Sequence, residues 1–382
     1  MRKPSSSNPS EDPSDPLDPD WAPQIPSIWD MDEDDGDDAE RGIAAAPPWP
    51  IANDILAWPD PAAWIRAEGA AGRALAEATA AVVRLDERLL GMDADARKGA
   101  RLRIALEAVP ELLWSEGVRL RPEYLALAGV DRLGGGDDAP LLARAAWAVR
   151  RMTATAGLDT SAVGPKEMRA FLGLREPGSA TDGADSSQED DFQVLGLPEP
   201  HRVEPEALDE WCAVVSALGE AHPLTRAVAG GALWAGLGVT DAAYLVEPAM
   251  VMGVLGAAAG QGGVIAAPVG RLRPGSGGEV LTRLEAGLDR IAEGARTALM
   301  QLGLVAAWQG RAIRVTDGLK GKGPVALIAL FSARPVVSAR DIATALDLTD
   351  RHARRLVDKF AELGLVRELT GHGRFRYWAA RL

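Results

Sequence analysis

One cysteine, Cys212, stands in 382 residues, so no disulfide can form within the chain and a reducing compartment is expected. Histidine is almost as scarce. His201, His222, His352 and His372 lie far apart and offer no metal-ligand spacing, so no metal centre is expected. Aromatic residues make up only 5% of the chain while glycine and alanine abound, a composition suited to closely packed helices. Long hydrophobic runs are missing too. The longest weak candidate, 249–259, is interrupted by glycine and falls short of the ~20 residues that a membrane-spanning helix needs. The opening Met1-Arg-Lys-Pro-Ser-Ser leads into prolines and acids instead of an apolar signal segment. A cytoplasmic globular protein is the expectation.

Catalytic signatures are equally thin. Gly318-Leu-Lys-Gly-Lys-Gly-Pro324 has the glycines of a phosphate loop but lacks its Gly-Lys-Ser/Thr ending. Lys320 and Lys322 read better as phosphate contacts to DNA or as a solvated linker. No Gly-x-Ser-x-Gly elbow occurs, and Cys212 sits mid-helix beside Trp211, a core position rather than a nucleophile's. Neither enzymatic activity nor a cofactor is expected.

What is abundant is acid, and it is unevenly spread. The formal net charge is −14. Residues 320–382 carry twelve Lys and Arg against six Asp and Glu, a balance of +6, which leaves −20 for the rest. Residues 1–42 account for half of that deficit, with three basic and thirteen acidic side chains. The overall charge argues against a nucleic-acid partner, but its segregation points to one at the basic end.

That end has an order of elements that carries the functional reading. Ser338 can cap a short helix with Ile342, Ala343 and Leu346 on its apolar face. A break follows over Asp347-Leu348, where aspartate tolerates the left-handed turn better than most residues. Thr349 or Asp350 caps a second helix over 350–363, with Ala353, Leu356, Val357 and Phe360 inward. Its other face carries Arg351, His352, Arg354, Arg355 and Lys359. Gly364 ends it as a C-cap. Two short apolar strands, 365–369 and 375–378, flank a tip with two glycines, and Arg374 and Arg376 share a face of the return strand. Helix, tight turn, basic helix and basic hairpin in that order predict a winged helix-turn-helix. A small helical repeat with a solvated charged face would explain one helix but not the series.

The rest of the chain reads as follows. Segment 1–48, rich in Ser, Pro and Asp, has no apolar periodicity and is expected to be a disordered acidic tail, either solubilising or competing with DNA for the basic helix. A helical domain over 49–175 opens with one long helix, 62–90, bearing Ala70, Leu75, Ala78, Val82, Leu85 and Leu89. Next come a helix capped by Asp93 or Asp95 and kinked at Pro110, a short one starting at Pro122, and an amphipathic one over 141–152. A linker spans 176–198, and a second helical block, 199–310, is broken at His222-Pro223 and Gly236-Leu-Gly238. Its last helix, 279–308, should tie the helical body to the winged domain at 320–382. The fold class is therefore mostly α, a helical body with a C-terminal winged helix-turn-helix.

Two resemblances add to this. Leu327-Ile-Ala-Leu-Phe-Ser-Ala-Arg-Pro-Val-Val-Ser338 and Gly364-Leu-Val-Arg-Glu-Leu-Thr-Gly-His-Gly-Arg-Phe-Arg-Tyr-Trp378 resemble an uncharacterised alphaproteobacterial family, often plasmid-borne, that joins a helical domain of unknown function to a C-terminal helix-turn-helix. Arg84-Leu-Asp-Glu-Arg-Leu89, Leu113-Trp-Ser-Glu-Gly-Val118 and His222-Pro-Leu224 extend the likeness. More distantly, the order of helix, Leu-Asp-x-x-Leu, Glu-Gly and winged helix is similar to Fic-family proteins, which transfer nucleotide monophosphates from a His-Pro-Phe-x-x-Gly-Asn-Gly-Arg loop. Here Leu224-Thr-Arg-Ala-Val-Ala-Gly-Gly231 follows His222-Pro223, so the anion-binding nest and its arginine are missing. A shared fold would come without the catalysis.

The sequence thus predicts a regulator of transcription or plasmid maintenance that binds double-stranded DNA; the alternatives are a degenerate Fic-like protein with residual nucleotidyl transfer and a protein-binding scaffold whose winged helix does not bind DNA. The regulator's helical body would form a homodimer or sense a small-molecule effector. Deleting residues 1–48 should leave the calorimetric unfolding midpoint within a few degrees of the full chain. The same deletion should raise DNA affinity at low salt, a gain that fades as salt screens the acidic run.

Overall fold

The computed structural model describes residues 60–131, 139–153, 163–173, 203–241, 243–272, 279–370 and 376–382. The expected acidic tail, the linker over 176–198 and the hairpin tip with Arg374 lie outside the described residues. Among those described, thirteen helices surround two hydrophobic cores, with one three-stranded sheet at the C-terminal end.

The N-terminal half is α1 Pro61–Ala70, α2 Gly72–Leu90, α3 Ala94–Ser115, α4 Pro122–Asp131, α5 Ala139–Thr153 and α6 Pro165–Leu172. The expected single helix over 62–90 is two. Gly69 and Gly72 bracket the break, each costly in a helix interior, and the Ala71 N–H is shared between the carbonyls of Ala67 and Glu68. The break re-phases the chain so that Trp64 is fully buried while Ala70 is exposed. Beyond it Ala78, Val82, Leu85 and Leu89 are buried in the predicted stripe, with Leu75 half-buried. Asp93 is the cap of α3, its carboxylate accepting from Ala96 N at 2.9 Å. The helix runs on through the buried Pro110 and stops at Gly117, whose φ is 83°.

The second half supplies α7 Pro205–Ala217, α8 Pro223–Gly236, α9 Val246–Ala257 and α10 Val280–Thr316. Helices from both halves share the first core, from Trp64 to Leu302. Trp211 meets Trp234 edge-on there, with ring centroids 5.2 Å apart, and its indole N–H donates to Gly230 O at 2.7 Å. Cys212 lies in the same core beside Trp211, and burial pushes its thiol up to about 11. Between α9 and α10 the chain folds back onto Asp86, a buried carboxylate that accepts from Gln261 N and Val264 N, both at 2.7 Å. Arg101 holds the same loop by donating to the carbonyls of Gly262 and Gly263 at 2.8 Å.

A second buried charge locks three elements. The Arg144 guanidinium on α5 lies between Glu116, at the end of α3, and Glu247, in the first turn of α9. It reaches Glu116 at 2.5 Å and Glu247 at 2.7 Å, all three side chains being 5% exposed or less. Tyr244 covers the guanidinium with its ring centroid at 4.4 Å. Glu116 also accepts from Leu245 N and Val246 N at the start of α9, so the surplus carboxylate faces helix-terminal donors. Burial alone would pull the Arg144 pKa down; the hydrogen bonds it donates to Glu247 and Glu116 outweigh that and hold it above its ordinary value.

Replacing Arg144 with Met leaves two carboxylates buried without their cation. The expected loss is about 3–5 kcal/mol in urea unfolding. Adding Glu116→Gln and Glu247→Gln to that variant should recover part of it.

Candidate nucleic-acid interface

The C-terminal end packs around a second core, from Trp308 to Ala380. Its elements are α11 Gly323–Ala333, β1 Val337–Ser338, α12 Ala339–Leu346, α13 Asp350–Glu362, β2 Val366–Glu368 and β3 Tyr377–Ala380. The three strands are antiparallel in the order β1-β3-β2, with Val337 opposite Trp378 and Val366 opposite Ala380. This is the winged helix-turn-helix topology that the sequence predicts, with two additions, the short strand β1 that pairs with β3 and helix α11. Helix α11 has no place in the motif reading from Ser338 onward, although Pro324 in its first turn and the run Leu327, Ile328, Leu330, Phe331 signal it.

Local chemistry fixes the turn. Ser338 and Asp341 form a reciprocal capping box at the start of α12: Asp341 N donates to Ser338 Oγ at 3.1 Å and Ser338 N to Asp341 Oδ2 at 2.8 Å. Asp347 ends the helix at φ 51°, ψ 51°, among the described residues the one position other than glycine with positive φ. Leu348 N then donates to Ala343 O at 2.9 Å, closing the turn. Thr349 caps α13. Small residues let the two helices cross, since both Ala343 and Ala353 are buried. Ile342, Val357 and Phe360 complete the inner face, with Leu346 and Leu356 half-buried at its edge. Gly364, at φ 68°, allows the chain to leave α13 for β2.

With that face fixed inward, Arg351, His352, Arg354, Arg355 and Lys359 are all exposed on α13. Their situations differ. Arg351, Arg354 and Arg355 have no carboxylate partner among the described residues. Lys359 pairs with Glu362 one turn on, at 3.0 Å. The His352 ring turns back on the cap, its Nδ1 3.1 Å from Thr349 Oγ1. Arg376 lies apart from this row and is the most engaged. It donates to Glu368, sits 3.6 Å from Asp358 and stacks over the Trp378 ring at 5.1 Å. Its hydrogen bond to Glu368 raises its pKa further.

The winged domain is seated on the helical body by contacts that the sequence does not reveal. Trp308 on α10 donates to Leu365 O at 2.8 Å. Gly99 on α3 touches α11 so closely that a Cβ there would stand 1.7 Å from Ala333 O. One turn on, Arg103 caps the C-terminus of α11, donating to the carbonyls of Phe331, Ser332 and Arg334. Burial brings the Arg103 pKa down to about 10. Arg367 on β2 pairs with Glu123 on α4 at 2.5 Å.

Residues 325–380 match a family model described as an HTH DNA binding domain. The chain carries a helix-turn-helix DNA-binding domain. A relative from Sinorhizobium fredii (strain NBRC 101917 / NGR234), "Uncharacterized protein y4cF", is 50% identical over 52 residues, which are 14% of this chain and 13% of that protein.

Outside the DNA-binding domain, the His222-Pro223 pair opens α8. His222 is its N-cap, with Nδ1 accepting from Leu224 N at 3.2 Å. Its Nε2 lies 3.5 Å from Thr79 Oγ1, and its backbone N–H donates to Glu68 at 2.9 Å. Burial lowers the His222 pKa against a smaller opposing pull from Glu68. The folded state therefore resists protonating this ring, so its contribution to stability is present above about pH 6.5 and is lost as pH falls below that value. The thermal midpoint should drop more steeply below pH 6.5 in the wild type than in His222→Asn, which keeps a capping side chain without the titration.

Proposed function

We propose that this chain is a DNA-binding regulator of transcription or plasmid maintenance, not an enzyme, that acts on double-stranded DNA as a homodimer in the cytoplasm. The observation that carries this is the exposed face of α13. Three arginines without carboxylate partners among the described residues stand on a helix held by a capped turn, in the position of a recognition helix. Guanidiniums that pair with no carboxylate among the described residues are poised for guanine edges or phosphates. In this reading Arg351, His352, Arg354 and Arg355 meet base edges or nearby phosphates, and Lys359, Arg374 and Arg376 meet the backbone. The helical body serves dimerisation or senses a small-molecule effector. The use of the His222 ring as a helix cap speaks against nucleotidyl transfer of the Fic type, because Nδ1 accepts from Leu224 N and the proton of the neutral ring then sits on Nε2, leaving no free lone pair for a general base.

The test is selection of bound fragments from random DNA with the purified chain, followed by gel shifts on selected and random duplexes. Arg354→Ala and Arg355→Ala should each weaken binding to the selected site by about 1–3 kcal/mol where a bidentate base contact is lost. Unchanged affinity and specificity in both would sink the assignment. Replacing both Arg374 and Arg376 with Ala should weaken both duplexes alike and flatten the salt dependence by about one to two units. Arg376→Ala alone should change the slope by less than the ~0.9 of a free phosphate contact, because Glu368 and Asp358 already balance that charge.

A further inference from the structure

We infer that the middle of α10 is the surface on which a second copy of this chain docks, antiparallel, with the two-fold axis at Leu302. This deepens the homodimer reading by naming its contact. At 3.6 residues per turn, Glu293, Thr297, Met300, Leu304, Arg311 and Val315 fall within about 60° of one another around the helix. All six are exposed, and the apolar ones conspicuously so: Met300 61%, Leu304 46% and Val315 43%. On one flank of the stripe run Gly303 and Ala307, also exposed, and a Cβ on Gly303 would meet nothing within 4 Å. A helix can therefore approach closely here.

The occupant follows from the charges. Met300 and Leu304 lie two residues either side of Leu302, and Glu293 and Arg311 lie nine residues either side. An antiparallel copy centred on Leu302 sets Met300 against Leu304 and Glu293 against Arg311, twice over. A parallel copy would oppose like charges at both ends. The stripe complements itself in one direction only. Glu293 has a partner on its own helix, Arg290 at 2.7 Å, and Arg311 donates to Arg381 O, yet both side chains remain exposed.

The placement of the DNA-binding domain agrees. Trp308, Ala312 and Thr316, the buried positions at the winged end of α10, all lie to one side of the stripe. A two-fold perpendicular to the helix pair keeps both winged helices on that side. Ala312 is ten residues from Leu302, so the two points of attachment lie about 30 Å apart along the pair. That is close to the ~34 Å between successive major grooves on one face of DNA. Only this spacing argument rests on the DNA-binding reading.

Sedimentation velocity of the full chain tests the surface without DNA. The wild type should be dimeric at micromolar concentration, and Leu304→Arg monomeric with an unchanged circular dichroism spectrum. Glu293→Arg and Arg311→Glu should each weaken self-association at least ~10-fold, by facing like charges across the axis. Their equimolar mixture should associate to within about threefold of wild type, since each then meets its complement. A monomeric wild type, an undiminished Leu304→Arg dimer, or a mixture no tighter than its components would each overturn the proposal. Any of these would leave the DNA-binding reading to the Arg354 and Arg355 gel shifts.

Discussion

A single helix has to satisfy two cores at once. Over its first six turns α10 buries Leu284, Leu288, Ile291, Ala295, Ala298 and Leu302 against the helical body. Past residue 303 the buried positions are Trp308, Ala312 and Thr316, and the partners have changed to α11 and the winged sheet. At about 1.5 Å per residue its 37 residues span some 55 Å without a break. Because an α-helix resists bending, the relation between body and DNA-binding domain is set by the phase of one backbone. Trp308 makes the join tighter, since its indole fills the second core against Phe331 while its N–H satisfies Leu365 O, where the chain passes from α13 to β2.

The buried charges work in the same sense. A core of alanine, leucine and valine would accept many helix arrangements, because apolar contact is non-directional. Arg144 accepts one. Its fork meets Glu116 and Glu247 together only if α3, α5 and α9 are in register, and any other register leaves charge buried without a partner. Asp86 does the same for the chain between α9 and α10 through two backbone N–H groups. These polar contacts add directional selectivity to the packing of the buried tryptophans.

Local rules made the DNA-binding domain legible. Capping at Ser338 and Thr349, the left-handed turn at Asp347, the apolar face of α13 and the glycine after it each depend on neighbours within four residues. The same holds for most helix ends of the body. What could not be read depends on residues far apart in the chain. Nothing near Arg144 in sequence marks it as buried, since Glu247 is 103 residues away. Arg103 looks like any exposed helical arginine until α11 ends against it, 228 residues on. Arg376 could be placed on the wing from its spacing, but its ties to Asp358 and Glu368 required the sheet to close. The break at Ala71 did leave a local signal, the glycines at 69 and 72, but the apolar positions on either side read as one continuous helix until Trp64 was seen to be buried.

The arginine at the end of α11 has a mechanical consequence. The last carbonyls of that helix find their donors on α3, in the helical body, so the two lobes share a terminus. Swinging the winged domain away would expose that terminus and strand a guanidinium whose pKa is already depressed by burial. The protein is then a stiff bracket rather than a pair of beads on a string. Twist or tension in a bound duplex would be carried into the body instead of being absorbed at a hinge. A shift of α3 would press directly on the end of α11, where Arg103 holds the last carbonyls.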